Sequence, residues 1–144
     1  MKKVCAIVMA LCLLLAGLCP ALAEDKTYRI GICQLAPHPA LDAATQGFRD
    51  FLTEKLGDRV VFDEQNAAGD AGTCMQIMNS FISEDVDLIM ANATASLQAA
   101  QSATGDIPIL GTAVTDYGVA LDLTCVDGKT GVNISGTSDL APLD

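Results

Sequence analysis

Polar side chains follow four short apolar runs of this sequence, at positions where strands would end. All are of types that bind small ligands through hydrogen bonds or charge: Gln34, His38, Asn66, Asp70, Asn92, Thr94, Ser96, Thr112, Thr115 and Asp116. Any one group alone is also what an ordinary turn is made of, because such side chains hydrogen-bond to nearby backbone. Four groups after four runs favour a shared binding edge over four unrelated turns.

The stretch from Asp85 to Ser96 joins a short apolar run to a string of small and hydroxylic residues. It predicts a strand that leads into a helix near Thr94. At such a junction the first backbone N–H groups of the helix are unpaired and carry partial positive charge, so a carboxylate or small anion can bind there. Small side chains leave that backbone accessible.

Apolar periodicity predicts the elements that position these groups. The predicted strands are Thr27–Cys33, Val60–Glu64, Leu88–Ala91 and Pro108–Gly111, with a last strand at Val132–Ser135. Apolar residues spaced by three and four predict a helix over Pro39–Leu56, ended by Gly57. Asp70 is placed to cap a second helix, whose predicted buried residues are Cys74, Ile77, Met78, Phe81 and Ile82.

A short alanine-rich helix is expected after Thr94, and the pattern weakens after Tyr117, where Val119–Val126 fits either a helix or a strand. The alternation of strand and helix predicts an α/β fold with a parallel sheet and helices on both faces. In such sheets ligands bind outside the carboxyl ends of the strands. The polar groups therefore belong to one edge.

The N-terminal residues are typical of a secretory signal peptide. Lys2 and Lys3 precede an apolar run, and Ala21 and Ala23 place small residues before a cut ahead of Glu24. We therefore expect residues 1–23 to be a signal peptide and the chain to be exported to the periplasm or the cell exterior. A lipid anchor at Cys19 is the less favoured alternative, because a large residue precedes that cysteine.

Without residues 1–23 the chain keeps all 18 acidic residues and loses two of its 8 basic ones, which leaves a net charge of −12. Such a charge argues against nucleic acid as a partner. The remaining cysteines are Cys33, Cys74 and Cys125, an odd number without metal-ligand spacing. Two of them could pair, or all could be buried apolar residues. With one histidine, His38, no metal site or cofactor is expected.

Two other functional classes have weaker support. A hydrolase of this architecture would carry G-x-S-x-G and a phosphate-binding enzyme G-x-x-x-x-G-K, and neither motif occurs. His38 has no nucleophile placed beside it by a recognisable motif, so it is interpreted as a ligand contact or a helix-start residue. A receiver-like sensory domain, with Asp116 as its acidic residue, conflicts with an export signal. A stand-alone exported domain with an enzymatic or sensory role stays the alternative.

The sequence resembles the substrate-binding proteins of ABC transporters, in particular the group that takes aromatic amino acids. The motifs occur in the family's order and span most of the chain after the signal: 31–42, 66–70, 87–94, 107–116 and 133–139. Where the group commonly has a proline after Ala-Thr, this chain has Ala95, which leaves capping of that helix to Thr94 or Ser96.

The resemblance implies a small-molecule ligand, an amino acid, and an ABC permease as membrane partner. It places His38 and Pro39 at the cleft and Asp139 with the other candidates on the ligand face. Family members have two α/β lobes around the ligand, so residues 24–136 are expected to form the first lobe and 137–144 to begin the crossover to a second. Tyr117, next to Asp116, is the aromatic residue expected nearest to the ligand.

We predict that the mature protein begins at Glu24, because the small residues before it suit signal peptidase. Mass spectrometry of protein recovered from the cell envelope measures this N-terminus. A lipid-modified N-terminus at Cys19 would contradict the prediction.

Overall fold

A computed structural model describes residues 26–139 of the chain. The predicted signal peptide and the last five residues lie outside this range. The strands are β1 Tyr28–Gln34, β2 Val60–Asn66, β3 Leu88–Asn92, β4 Ile109–Val114 and β5 Ile134–Ser138. The helices are α1 Pro39–Leu56, α2 Ala71–Ser83, α3 Thr94–Ala103 and α4 Tyr117–Leu121, and a 3-10 turn at Gly57–Arg59 follows α1.

All five strands are parallel and lie in the order β2-β1-β3-β4-β5. The chain therefore runs outward from β1 in one direction to β2 and then in the other direction to β3, β4 and β5. The reversal places a crevice at the carboxyl ends of β1 and β3, which is where open α/β sheets bind ligands. The predicted fold, a parallel sheet with helices on both faces, is confirmed.

Each face of the sheet has its own apolar core. On one face, Phe48, Leu52 and Leu56 of α1 pack against Ile30, Ile32, Val60 and Met90. On the other face, α2 and α3 bury a larger cluster that includes Phe81, Ile89 and Leu97. Alternate residues of a strand point to opposite faces, so β1 and β3 contribute to both cores.

Several predicted boundaries differ from the structure. The last strand begins at Ile134 and continues to Ser138, two residues beyond the boundary predicted for the lobe, because it pairs with β4 as far as Val114. Of the segment Val119–Val126, predicted as helix or strand, only Val119–Leu121 is regular, as the end of the short helix α4, which starts at Tyr117 because Asp116 caps it. Ile82 is half-buried, while the other four residues predicted on the buried side of α2 are buried.

Among the described residues, no helix has the length and the apolar character needed to cross a membrane.

Two glycines offer a matched test of the packing between β1 and α2. A Cβ atom added to Gly31 would lie 2.7 Å from the ring of Phe81, whereas one added to Gly47 on α1 meets nothing within 4 Å. We expect Gly31→Ala to lower the free energy of unfolding by about 1–3 kcal/mol through overpacking. Gly47→Ala should raise it by up to about 1 kcal/mol, because alanine is the better helix former. Urea denaturation measures both, and an unchanged stability in Gly31→Ala would contradict this packing.

Candidate ligand-binding edge

The four polar strand ends of the sequence lie in register across the sheet. Asn66 of β2 pairs with Gln34 of β1, Gln34 pairs with Asn92 of β3, and Asn92 pairs with Thr112 of β4. The hydroxyl oxygens of Thr112 and Thr137 lie 3.5 Å apart, which carries the row onto β5. The sheet therefore brings together, along one edge, groups that are far apart in the sequence.

The two central members of this row are buried and hold the start of α1. Gln34 Nε2 donates to Asp42 Oδ1 at 2.6 Å and to the Ala36 carbonyl at 2.9 Å. The Thr45 hydroxyl donates to Gln34 Oε1 at 2.8 Å and accepts from Asn92 Nδ2 at 2.9 Å. Asn92 Nδ2 also donates to a backbone carbonyl of α1, that of Leu41, at 2.9 Å. We call these side chains, of Gln34, Asp42, Thr45 and Asn92, the α1 anchor.

Sequence reasoning missed Thr45, although a signal was present. Thr45 falls at helical spacing between Leu41 and Phe48, on the stripe predicted to be apolar, and it is 3 % exposed. A polar residue on a buried stripe needs a partner, because an unpaired buried hydroxyl is costly. Asn92 was predicted as a ligand contact, but it is fully buried and its amide nitrogen is used by α1. Its Oδ1 has no hydrogen-bond partner among the described residues.

His38 and Pro39 form the exposed start of α1. His38 is the N-cap, and its Nδ1 accepts a hydrogen bond from the Ala40 backbone N–H at 3.2 Å. Pro39 follows in the first turn, where its missing N–H costs nothing. Both residues lie just after the carboxyl end of β1, and the α1 anchor holds them there.

Asn66 and Asp70 are exposed beyond the end of β2, where each also stabilises its own turn. Asn66 Oδ1 accepts from the Ala68 backbone N–H at 2.9 Å. Asp70 Oδ1 caps α2 by accepting from the backbone N–H and the hydroxyl of Thr73, at 2.6 and 2.8 Å. These hydrogen bonds to Thr73 lower the pKa of Asp70, so the carboxylate stays charged. The predicted capping role of Asp70 is confirmed.

The junction between β3 and α3 presents uncapped backbone to this edge. Ala93 is the N-cap of α3 with φ +90°, a conformation that alanine rarely adopts, and no side chain caps the helix. The expectation that Thr94 or Ser96 would cap it is wrong. Thr94 is exposed, whereas Ser96 is fully buried with its hydroxyl among thiols, so its side chain does not face the edge. The first N–H groups of α3 therefore remain available to an anion.

Two further alanines with positive φ occur at strand ends of this edge. Ala68 follows β2 with φ +53°, and Ala113 near the end of β4 has φ +54°. Together with Ala93, they give this edge three alanines in a backbone conformation that costs free energy to maintain, two of them in turns from strand to helix and one within β4.

Thr115, Asp116 and Asp139 lie together at the ends of β4 and β5. Asp116 Oδ1 caps α4 by accepting from the Val119 backbone N–H at 3.0 Å. The Thr115 carbonyl accepts from the Ser138 hydroxyl at 2.6 Å, and the Asp139 backbone N–H donates to the Val114 carbonyl at 3.2 Å. All three predicted residues are exposed, and two are acidic.

Tyr117 packs against the sheet instead of pointing along the edge. Its ring covers Gly111 and Gly136, where any Cβ atom would collide with it, and its hydroxyl donates to the Thr137 carbonyl at 3.3 Å. Burial raises its pKa, and the nearby charge of Asp139 adds to this effect. This position does not support the expected role of Tyr117 beside the ligand, because its ring is packed against the glycines of β4 and β5.

Cavities in the described part of the chain include two that border the sheet, and neither of these two coincides with the whole edge. The larger, about 560 Å³, lies between α4, the loop after it and β5, and includes Thr115 and Asp116. The smaller, about 330 Å³, lies near the opposite, amino ends of β1 and β3. The candidate site is defined by the polar residues of the edge, because most of them line an open surface and not an enclosed cavity. Within residues 26–139, no three His, Cys, Asp or Glu side chains are grouped so as to hold a metal ion.

Comparison with known proteins agrees with this architecture. Residues 29–144 match the family described as ABC transporter substrate binding protein. This chain belongs to the ABC transporter substrate-binding protein family. It is 47% identical over 124 residues to the tyrosine-binding protein of Clostridioides difficile strain R20291, a match that covers 84% of this chain and 36% of that relative.

Solved structures of family members have the same lobe. A substrate-binding protein with adhesive properties from Clostridium difficile, in its ligand-free open structure, has a TM-score of 0.73 at 47% identity. That match covers 79% of this chain and 39% of the solved one. An ABC domain in complex with L-Trp from Streptococcus pneumonia has a TM-score of 0.74 at 32% identity, covering 80% and 39%. This chain thus spans well under half the length of these relatives.

The α1 anchor can be tested by removing its central hydroxyl. Thr45→Val keeps the shape of the side chain but leaves Gln34 Oε1 and one hydrogen of Asn92 Nδ2 without partners. We expect the free energy of unfolding to fall by about 1–3 kcal/mol. The same substitution at Thr53, exposed near the other end of α1, is the matched control and should cost little. Equal effects of the two substitutions on urea denaturation would contradict a specific role for Thr45.

Proposed function

We propose that this chain is the solute-binding component of an ABC transporter and that the carboxyl edge of its sheet forms one wall of an amino-acid site. The observation that carries the proposal is the in-register polar row, Asn66, Gln34, Asn92 and Thr112, which lies beside the uncapped start of α3. The family membership supports the same class of function. An enzymatic role has no comparable support, because the family is one of binding proteins and the one histidine caps a helix.

The charges of the edge fit the two ends of an amino acid. The Ala93 backbone N–H donates to the Thr112 carbonyl at 3.0 Å, so the N–H groups offered to the carboxylate are those of the first turn, Thr94–Ser96, together with the exposed Thr94 hydroxyl. They suit a carboxylate because the start of a helix carries partial positive charge. Asp116 and Asp139 at the ends of β4 and β5 suit the ammonium group. His38, Pro39, Asn66 and Asp70 border the same edge from the β1 and β2 side, where they would contact the rest of the ligand.

Asn92 and Ser96 have a supporting role in this proposal. Both side chains are fully buried, one in the α1 anchor and the other between α3 and the core. Asn92 ties the end of β3 to α1, and Ser96 packs the first turn of α3 against β1 and α2. A ligand would contact the backbone beside them and not their side chains.

An aromatic amino acid is the ligand class we favour. One relative is named a tyrosine-binding protein and one solved family member holds L-Trp. Within residues 26–139 the edge offers the exposed His38 ring as a flat surface, while Tyr117 is held against the sheet. Most contacts to an aromatic side chain would therefore come from a second wall. The relatives, which are more than twice as long as the part matched here, have additional residues that could form such a wall.

We further propose that residues 1–23 direct export, that the described region to Asp139 is the first lobe, and that a membrane permease receives the ligand. The acidic surface suits a soluble partner of a transporter and does not suit nucleic acid. One open wall cannot enclose a ligand, because pockets of this kind bury most of the surface of a small molecule.

Titration with L-tyrosine and L-tryptophan tests the proposal. We expect the 144-residue chain to bind them no better than about millimolar, and a chimera that continues after Asp139 with the rest of the C. difficile relative to bind in the micromolar range. Calorimetry measures the dissociation constant of the chimera, and NMR chemical-shift changes measure the weaker binding of the 144-residue chain. Micromolar binding by the 144-residue chain as a monomer would contradict the proposal that the edge is only one wall.

Thr94 tests the carboxylate site within this chimera. Thr94→Val should weaken binding by about 1–3 kcal/mol, the loss expected when a charged group loses a hydrogen-bond donor. Thr53→Val, far from the edge, is the control and should bind as the parent does. An unchanged affinity in Thr94→Val would remove this turn from the proposed site.

A further inference from the structure

Three small buried side chains form a cluster directly beneath the candidate edge. The Cys33 thiol lies 3.5 Å and the Cys74 thiol 3.6 Å from the Ser96 hydroxyl oxygen. All three residues are 0 % exposed. They come from β1, α2 and α3, so the cluster joins three elements that are distant in the sequence.

The cluster lies one layer below the residues proposed to meet the ligand. Cys33 immediately precedes Gln34, Cys74 donates its backbone N–H to the Asp70 carbonyl at 3.1 Å, and Ser96 lies in the first turn of α3. A covalent link here would fix the end of β1 relative to the start of α2. Those two segments carry His38 and Asp70 at the edge.

We propose that Cys33 and Cys74 form a disulfide when the chain folds under oxidising conditions. Both thiols are held against the same Ser96 hydroxyl, which brings the two sulfur atoms into one buried cluster. An exported protein meets oxidising conditions, in which disulfides form and persist. The inference extends beyond ligand binding and is tested without a ligand.

The oxidant is a small-molecule or protein disulfide. The thiolate of one cysteine attacks a sulfur of that disulfide, which forms a mixed disulfide and releases one thiol of the oxidant. The second cysteine then attacks the protein sulfur of the mixed disulfide, which closes the Cys33–Cys74 bond and releases the second thiol. Two electrons pass to the oxidant, which becomes two thiols, and the two thiol protons of the protein leave with them.

The timing of this reaction follows from burial. In the folded chain, burial raises the pKa of the Cys33 thiol to about 12, so almost no thiolate is present at neutral pH. A disulfide reagent also has no path to a side chain without exposed surface. The bond therefore forms while the chain is folding and the thiols are still accessible, and the reduced folded protein resists oxidation.

Cys125 provides an internal control. It is exposed on the loop after α4, and the fold brings no other cysteine of residues 26–139 into a cluster with it. In the unfolded chain, however, Cys74 is separated by similar lengths of sequence from Cys33 and from Cys125. Loop closure alone would therefore produce the two pairs in comparable amounts.

The experiment compares folding with random pairing. The purified chain of residues 24–144, in which Cys33, Cys74 and Cys125 are the three cysteines, is reduced and unfolded, then placed in a glutathione redox buffer either without denaturant or in concentrated urea. After alkylation and digestion, mass spectrometry quantifies the cross-linked peptides. Without denaturant we expect Cys33–Cys74 to be the main pair, with a mass loss of about 2 Da for the two hydrogens removed, and in urea a mixture with Cys74–Cys125.

Variants and a stability measurement complete the test. Cys125→Ser should retain the Cys33–Cys74 bond, and Cys33→Ser should abolish it. Reductant should lower the thermal midpoint of the oxidised parent and of Cys125→Ser but not that of Cys33→Ser. Free thiols at Cys33 and Cys74 after oxidative folding, or the same mixture of pairs with and without urea, would overturn the proposal.

Discussion

The α1 anchor is the interaction on which the candidate site most depends. The buried side chains of Gln34, Thr45 and Asn92 form a chain of hydrogen bonds, with Thr45 in the middle. This chain ties the ends of β1 and β3 to α1 at the point where the strand order reverses. Apolar contacts alone would hold α1 against the sheet, but they would allow it to slide, because the hydrophobic effect has no direction. Hydrogen bonds of fixed geometry set where the helix begins, and therefore where His38 and Pro39 stand.

The same edge is shaped from below by small residues. The thiols of Cys33 and Cys74 and the hydroxyl of Ser96 occupy little volume, which lets α2 and α3 start close to the sheet. Gly111 and Gly136 likewise let the Tyr117 ring lie on β4 and β5. Three alanines with positive φ, Ala68, Ala93 and Ala113, lie at or just after the strand ends above these layers. Positive φ at an alanine costs free energy, which the packing around it must offset.

Family membership and the coverage of relatives give this edge its context. The chain matches substrate-binding proteins along 29–144, yet it spans only 36% of the length of the tyrosine-binding relative. The polar and open character of this edge is consistent with the proposal that it is one wall of a cleft. The cavity of about 560 Å³ reaches this edge only at Thr115 and Asp116, and the rest of the edge is an open surface.

The sequence by itself determined the parallel α/β fold, the bounds of α1, the cap at Asp70 and the strand ends that carry polar groups, because periodicity and caps are local signals. It left open which polar residues face outward. Asn92 and Ser96 looked like Thr94 in the sequence, and only packing from α1 and α2 showed that they are buried. The burial of Thr45 and the packing of the Tyr117 ring against the sheet were likewise visible only in the tertiary structure, since their partners come from elements far away in the chain. Local patterns thus predict where a strand ends, and tertiary contacts determine which side of it a ligand can reach.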